Sequence, residues 1–325
     1  MTWAARIFGS SNQQITKKYS LDPDTFSMMI LSNPYRTSTC CKGCICFSLT
    51  PEWILGISVF CMQCLLGLMI AWDQLHGDGD NYTSWFNVPL SVTSFVAFGQ
   101  LFTIILALMT QTDILMAVKT LHYLRHKDDN FWEEMIAIDD GKINRTLITW
   151  FIRVFIPLFM KLTEGCLILF ITWVLIVQSD NIVDLLKDFT ALFVISSVDD
   201  LFFVMGSNGY LGKAIHARSQ DVITAELRTT FETNGSSNRD SVIYKAEKDW
   251  MQTILVAIIF LTLFGGWMYI AVHQASGLYV ENKYPFCKDS TNLTVSIWFS
   301  GIGDGTCNEN YDLKECGMDG GDCFR

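Results

Sequence analysis

Charge is scarce in this 325-residue chain: 17% of its residues are Asp, Glu, Lys or Arg, against roughly 25% in an ordinary soluble domain. Half of the residues are hydrophobic and the mean hydropathy is +0.28. That leaves too little polar surface to wrap the apolar chain in water, so a bilayer has to cover the rest. Basic charge is scarcer still, with 23 Lys and Arg against 33 Asp and Glu and a net charge of −10. Phosphate binding needs a concentrated basic face, so nucleic acid is excluded as a partner, whereas an acidic balance suits hard cations. Residues 1–50 hold no apolar run long enough for a signal-peptide core. The chain also lacks a nucleophile elbow, a phosphate-binding glycine loop and a zinc-protease signature, and it reads as non-enzymatic. No internal repeat is evident.

The apolar residues are concentrated in runs. Residues 53–72 (WILGISVFCMQCLLGLMIAW) carry no charge and match the ~20 residues needed to cross a bilayer, so they read as an uncleaved signal anchor. Further spans are expected at about 90–110 and 251–272. Trp53, Trp72, Trp250, Trp267 and Tyr269 stand near span ends, where an interfacial aromatic belt belongs. Between these lie two apolar stretches, 154–177 and 182–205, separated by Gln178, Ser179, Asp180 and Asn181, which predict a tight helical hairpin. By hydropathy alone its second arm also fits an amphipathic surface helix. With both arms crossing, the fold class is an α-helical polytopic membrane protein of about five transmembrane helices. Its parts are then a cytoplasmic segment 1–52, a helical domain 53–272 and a tail 273–325.

Topology follows from the basic residues. The loop 73–89 has no Lys or Arg, whereas the segments before Trp53, from Lys119 to Arg145 and from Lys213 to Lys248 hold 16 of the 23. The positive-inside rule places those segments in the cytoplasm. Five spans then put the amino terminus inside and the carboxyl terminus in the lumen or outside the cell, in the plasma membrane or a secretory-pathway membrane.

The hairpin is charged. Lys161 and Glu164 lie on the first arm, and Asp184, Lys187, Asp188, Asp199 and Asp200 on the second. Ionisable groups in hydrocarbon cost at least ~2.5 kcal/mol each, so they pair, face a cavity or mark an ion path. Lys161 sits ~10 Å above the inner edge, and Asp199 and Asp200 ~8–9 Å above it. The expectation is an intramembrane network of Lys161, Glu164, Asp199 and Asp200 in which Lys161 pairs with the two aspartates. Such a network either locks the hairpin or conducts.

The tail holds Cys287, Cys307, Cys316 and Cys323 in a segment rich in Gly, Asp and Asn. So few aliphatic residues cannot make a core, which calls for crosslinks or metal and an oxidising compartment. The sequons at Asn81 and Asn292 are glycosylation candidates on the same luminal side, although a third, at Asn144, falls in a loop placed inside. Asp319 and Asp322 flank Gly320 and Gly321, as a calcium loop requires, and Asp312, Asn308 and Asn310 can add oxygen ligands. The same Gly and Asp residues also suit plain turns.

The run Gly303-Asp304-Gly305-Thr306-Cys307, then Asp312, then Cys316-Gly317-Met318-Asp319-Gly320-Gly321-Asp322-Cys323 resembles the Notch-type repeat, a small disulfide-bonded module that binds Ca²⁺. The resemblance implies the pairs Cys287–Cys323 and Cys307–Cys316. Tyr311 stands where the family has a further cysteine, and no cysteine follows Cys323 to pair with it.

Cys40, Cys41, Cys44 and Cys46 precede the first span and are S-acylation candidates, with free cytosolic thiols as the simpler reading. His122 and His126 lack a third ligand nearby. Gly301-Ile302-Gly303-Asp304 matches the string of intramembrane aspartyl proteases but falls in the polar tail. The expected function is display of a calcium-stabilised ectodomain to an extracellular protein partner or for surface sensing. The alternative is a cation channel or transporter, a homo-oligomer, using residues 154–205 as its polar path.

Overall fold

The computed structural model describes residues 15–41, 44–75, 86–90, 92–124, 132, 146–231 and 239–283. Helices form where the apolar runs lie. α1 is Thr25–Leu31, α2 Pro51–Leu75, α3 Ser94–Thr110 and α4 Thr112–Tyr123. α5 is Leu147–Gln178, with a π-helical turn at Phe151–Phe155. α6 is Ile182–Ser196, α7 Val198–Ser207, α8 Lys213–Thr224, α9 Arg239–Ala275 and α10 Leu278–Lys283. Two antiparallel strand pairs accompany them. β1 (Ile15–Ser20) pairs with β4 (Glu226–Phe231), and β2 (Tyr35–Cys41) with β3 (Cys44–Leu49).

Four helices are long and apolar enough to cross a membrane: Pro51–Leu75, Ser94–His122, Leu147–Gln178 and Thr253–Ala275. A fifth span results if α6 and α7, bent by 41° at their junction, count as one. Leu65, Met69 and Trp72 on α2 and Phe95, Phe98, Phe102 and Met109 on α3 are exposed. In water such surfaces would aggregate; against acyl chains they match the solvent.

The boundaries depart from expectation where polar residues intervene. The second span begins at Ser94, after Pro89 and under the Thr93 cap, whose hydroxyl accepts from the Val96 amide. It is interrupted at Gln111. The hairpin's second arm, expected as one helix over 182–205, is broken at Ser197, which leaves the helical region with no side-chain cap. The first arm starts earlier than expected, and the last span is the end of the longer helix α9.

The chain divides into two compact units, Met1–Met62 with Thr112–Glu164 and Ser197–Val256, and Gln63–Gln111 with Gly165–Ser196 and Ala257–Arg325. In the first, α1 is buried at every position. Its Met28, Ile30 and Leu31 join Leu124, Val154, Leu158, Phe203, Ile215 and Val222 in one core, and Phe26 and Met29 join Trp53 in another. The sequence reading set residues 1–52 apart from the helices; α1 is instead packed among them. A Cβ at Gly56 would lie 2.1 Å from the Met29 sulfur, so α2 and α1 meet closely there and any larger residue would displace the Met29 side chain.

In the second unit, Ile171, Leu175 and Leu192 form the core with Ile70 and Leu167. A Cβ at Gly266 would come within 2.8 Å of the Trp173 indole, whose Nε1 donates to the Leu263 carbonyl at 3.0 Å. Small residues thus permit close helix approach, as is usual between spans. α3 and α6 run parallel. The Gly99 position faces Ile182 and Leu185 near the start of α6, and Gln111, just past the end of α3, reaches Ser196 at the end of α6.

A candidate intramembrane charge site

The site is built on α1. Asp24 is its N-cap, and its Oδ1 accepts from the Ser27 amide at 2.6 Å, which satisfies an otherwise orphaned helix donor. That leaves Oδ2 for Lys161 of α5, with which it forms a buried ion pair. The Lys161 ammonium also reaches Asp22 at 2.8 Å and Asp113, in the first turn of α4, at 3.3 Å. An ammonium has three N–H donors, and these three carboxylates account for them.

This corrects the expected pairing. Lys161 is bound by Asp22, Asp24 and Asp113, not by Asp199 or Asp200. The tighter partners come from α1 and α4, elements that a two-arm argument omits. Of the charged residues on the second arm, Asp184 and Lys187 are exposed and Asp188 is half-buried. Asp199 is buried and Asp200 is exposed.

Glu164 and Asp199 interact electrostatically with each other and with Asp24, Asp113 and Lys161. Both are almost wholly buried, yet Glu164 Oε1 and Asp199 Oδ2 have no hydrogen-bond partner among the described residues, and neither has the Thr25 hydroxyl. One ammonium therefore faces more carboxyl groups than its donors can serve. Among the described residues, no three His, Cys, Asp or Glu side chains are arranged to hold a metal ion.

Arg153 secures the other end of α1. From the π-helical turn its Nε donates to Ser32 O and its Nη2 to Leu31 O, both at 3.1 Å, and Trp53 Nε1 donates to Ser32 O at 3.4 Å. Sequence reasoning missed Asp22, Asp24 and Asp113 and gave Arg153 no role. The available signal was Asp24 followed by TFSMMIL, an N-cap residue before an apolar run.

The remaining expected sites stand as follows. Cys40 and Cys41 lie on β2 and Cys44 and Cys46 on β3, with their side chains outside what the structure describes. Asn81, Asn292, Cys287, Cys307, Cys316, Cys323, Asn308, Asn310, Asp312, Asp319 and Asp322 lie outside the described residues, as does His126. No protein-family model matches the chain, and no curated protein or solved structure matches it.

Proposed function

We propose that the chain is a multi-pass membrane protein that passes a cation across the bilayer, with Glu164 and Asp199 meeting the cation and Lys161 serving as a fixed counter-charge. The supporting observation is the pair of buried carboxyl oxygens, Glu164 Oε1 and Asp199 Oδ2, without a donor among the described residues, beside an ammonium whose bonds go elsewhere. A lock would satisfy its members, because a buried unpaired carboxylate costs several kcal/mol. An acidic surplus inside a membrane protein marks an ion route by default.

Full-length protein reconstituted in liposomes with a cation- or pH-reporting dye is expected to show flux. Glu164→Gln and Asp199→Asn are each expected to lower it about tenfold or more, as loss of a charge-assisted contact of ~1.5 kcal/mol implies. Absence of flux from the folded wild-type protein, or flux unchanged in both variants, overturns the reading.

A second reading rests on the tail sequence around Cys307 to Cys323: display of a Notch-like, calcium-stabilised module on the luminal or extracellular face, with the amino terminus in the cytoplasm. Protease added to intact cells is expected to remove a carboxyl-terminal tag and spare an amino-terminal one. Chelating calcium is expected to expose further cleavage between Cys307 and Cys323. Protection of both tags refutes the orientation, and a cleavage pattern indifferent to calcium refutes the metal's role.

A further inference from the structure

We propose that Gln63, Gln111 and Ser196 form a binding site for a monovalent alkali cation, where two interrupted helices end side by side. α3 and α6 run parallel, so their carboxyl-terminal ends come together at Gln111 and Ser196. Each end carries partial negative charge and carbonyls without intrahelical partners. Gln63 of α2 supplies donors there, its Nε2 lying 3.2 Å from Ile195 O and 3.5 Å from Ser196 O. Gln111 Nε2 donates to Ser196 Oγ at 3.3 Å.

Both amides thus turn their Nε2 to the same helix end. Their oxygens are left over. Gln63 is 0% and Gln111 6% exposed, and neither Oε1 has a donor among the described residues. A third buried glutamine shows what satisfaction looks like: Gln100 Oε1 accepts from Trp267 Nε1 at 3.2 Å while its Nε2 donates to Ser179 O at 3.0 Å.

Among the described residues, no Lys or Arg bonds at the Gln63–Gln111 site. The helices that follow each break begin with acids in their first turns, Asp113 in α4 and Asp199 and Asp200 in α7, which offset their own positive ends. The two negative ends at Gln111 and Ser196 carry no basic residue in their last turns to give such an offset. Water can donate to an amide oxygen but brings no charge to two converging helix ends; a cation does both. Interrupted spans place their unwound carbonyls and helix ends around small cations for this reason. The ligands are neutral amides, a hydroxyl and helix-end carbonyls, which suits a monovalent ion. A divalent ion gives up its hydration only to carboxylates or a larger oxygen cage.

The site deepens the cation-passage reading and rests on it for its role, though not for its binding. Thermal unfolding of the full-length protein in detergent is to be followed by tryptophan fluorescence in NaCl, KCl, CaCl₂ and choline chloride at equal ionic strength. Expected is a saturable upward shift in Na⁺ or K⁺ that choline and Ca²⁺ do not give. Gln63→Leu and Gln111→Leu are expected to abolish it, and Ser196→Ala to weaken the apparent affinity about tenfold. Ser196→Ala removes a single oxygen and carries the test should the glutamine variants not fold. Identical melting in Na⁺, K⁺ and choline, meaning water alone, overturns the proposal, as does a shift that Ser196→Ala and the glutamine variants leave untouched. An alkali-specific shift without flux in liposomes leaves this site standing and removes the passage reading; flux without the shift does the reverse.

Discussion

Lys161→Ala is expected to lower the melting temperature and folded yield of the purified protein sharply. The change removes the ammonium bonded to Asp22, Asp24 and Asp113, the only one on them among the described residues, and leaves those carboxylates facing one another. Breaking a buried pair by deleting one partner typically costs ~3–5 kcal/mol, more than the pair contributed, because an uncompensated charge stays behind. The second-site pattern is diagnostic. Adding Asp24→Asn should restore part of the loss, since it neutralises the most buried of the three partners and asparagine remains a good N-cap for α1. Adding Asp199→Asn should restore little, because Asp199 makes no ion pair with Lys161. Thermal melts of the three proteins decide this. Rescue by Asp199→Asn as good as by Asp24→Asn would mean that the hairpin pairing, not the α1 pairing, holds in the folded protein.

That contrast shows what the sequence made legible. The spans were readable because a run of ~20 uncharged residues has few fates other than a membrane crossing. The same reading set Lys161, Glu164 and Asp199 within apolar helices, and all three are buried. α1, signalled only by its N-cap Asp24, was not readable from periodicity, since TFSMMIL is too short, and its complete burial is a product of tertiary packing against α5, α7 and α8. Nor were the breaks at Gln111 and Ser197, where hydropathy averages over the polar residue that ends the helix. Sequence placed Glu164 and Asp199 in a charged network but took Asp199 as a partner of Lys161, because the groups that consume the Lys161 donors come from 48 and more residues away in the chain. The tail shows the complementary case. Its motif is the most specific string in the sequence, and it lies outside the described residues.

Arg153→Leu should be the second severe change, and its severity comes from hydrogen bonding more than from net charge. α1 has two turns or fewer, too short to be stable unaided, so it is held at both ends. The Asp24–Lys161 pair holds the start, and Arg153 with Trp53 holds Leu31 O and Ser32 O at the finish. Leucine would leave the Leu31 carbonyl buried without that donor and weaken the hold on Ser32, at ~1–3 kcal/mol for each unsatisfied group. The negative end of α1 would also lose its nearest cation. Arg153→Lys keeps the charge but replaces a planar fork by a single ammonium, so it should recover only part of the loss. Trp53→Phe removes one long bond and should cost least. The expected order of melting temperatures is therefore wild type, Trp53→Phe, Arg153→Lys, Arg153→Leu. Protease cleavage between Leu21 and Asn33 should increase in the same order, because releasing the end of α1 exposes a segment that packing otherwise shields. An Arg153→Leu protein that melts with the wild type and resists cleavage there would show that α1 is held by its apolar contacts alone.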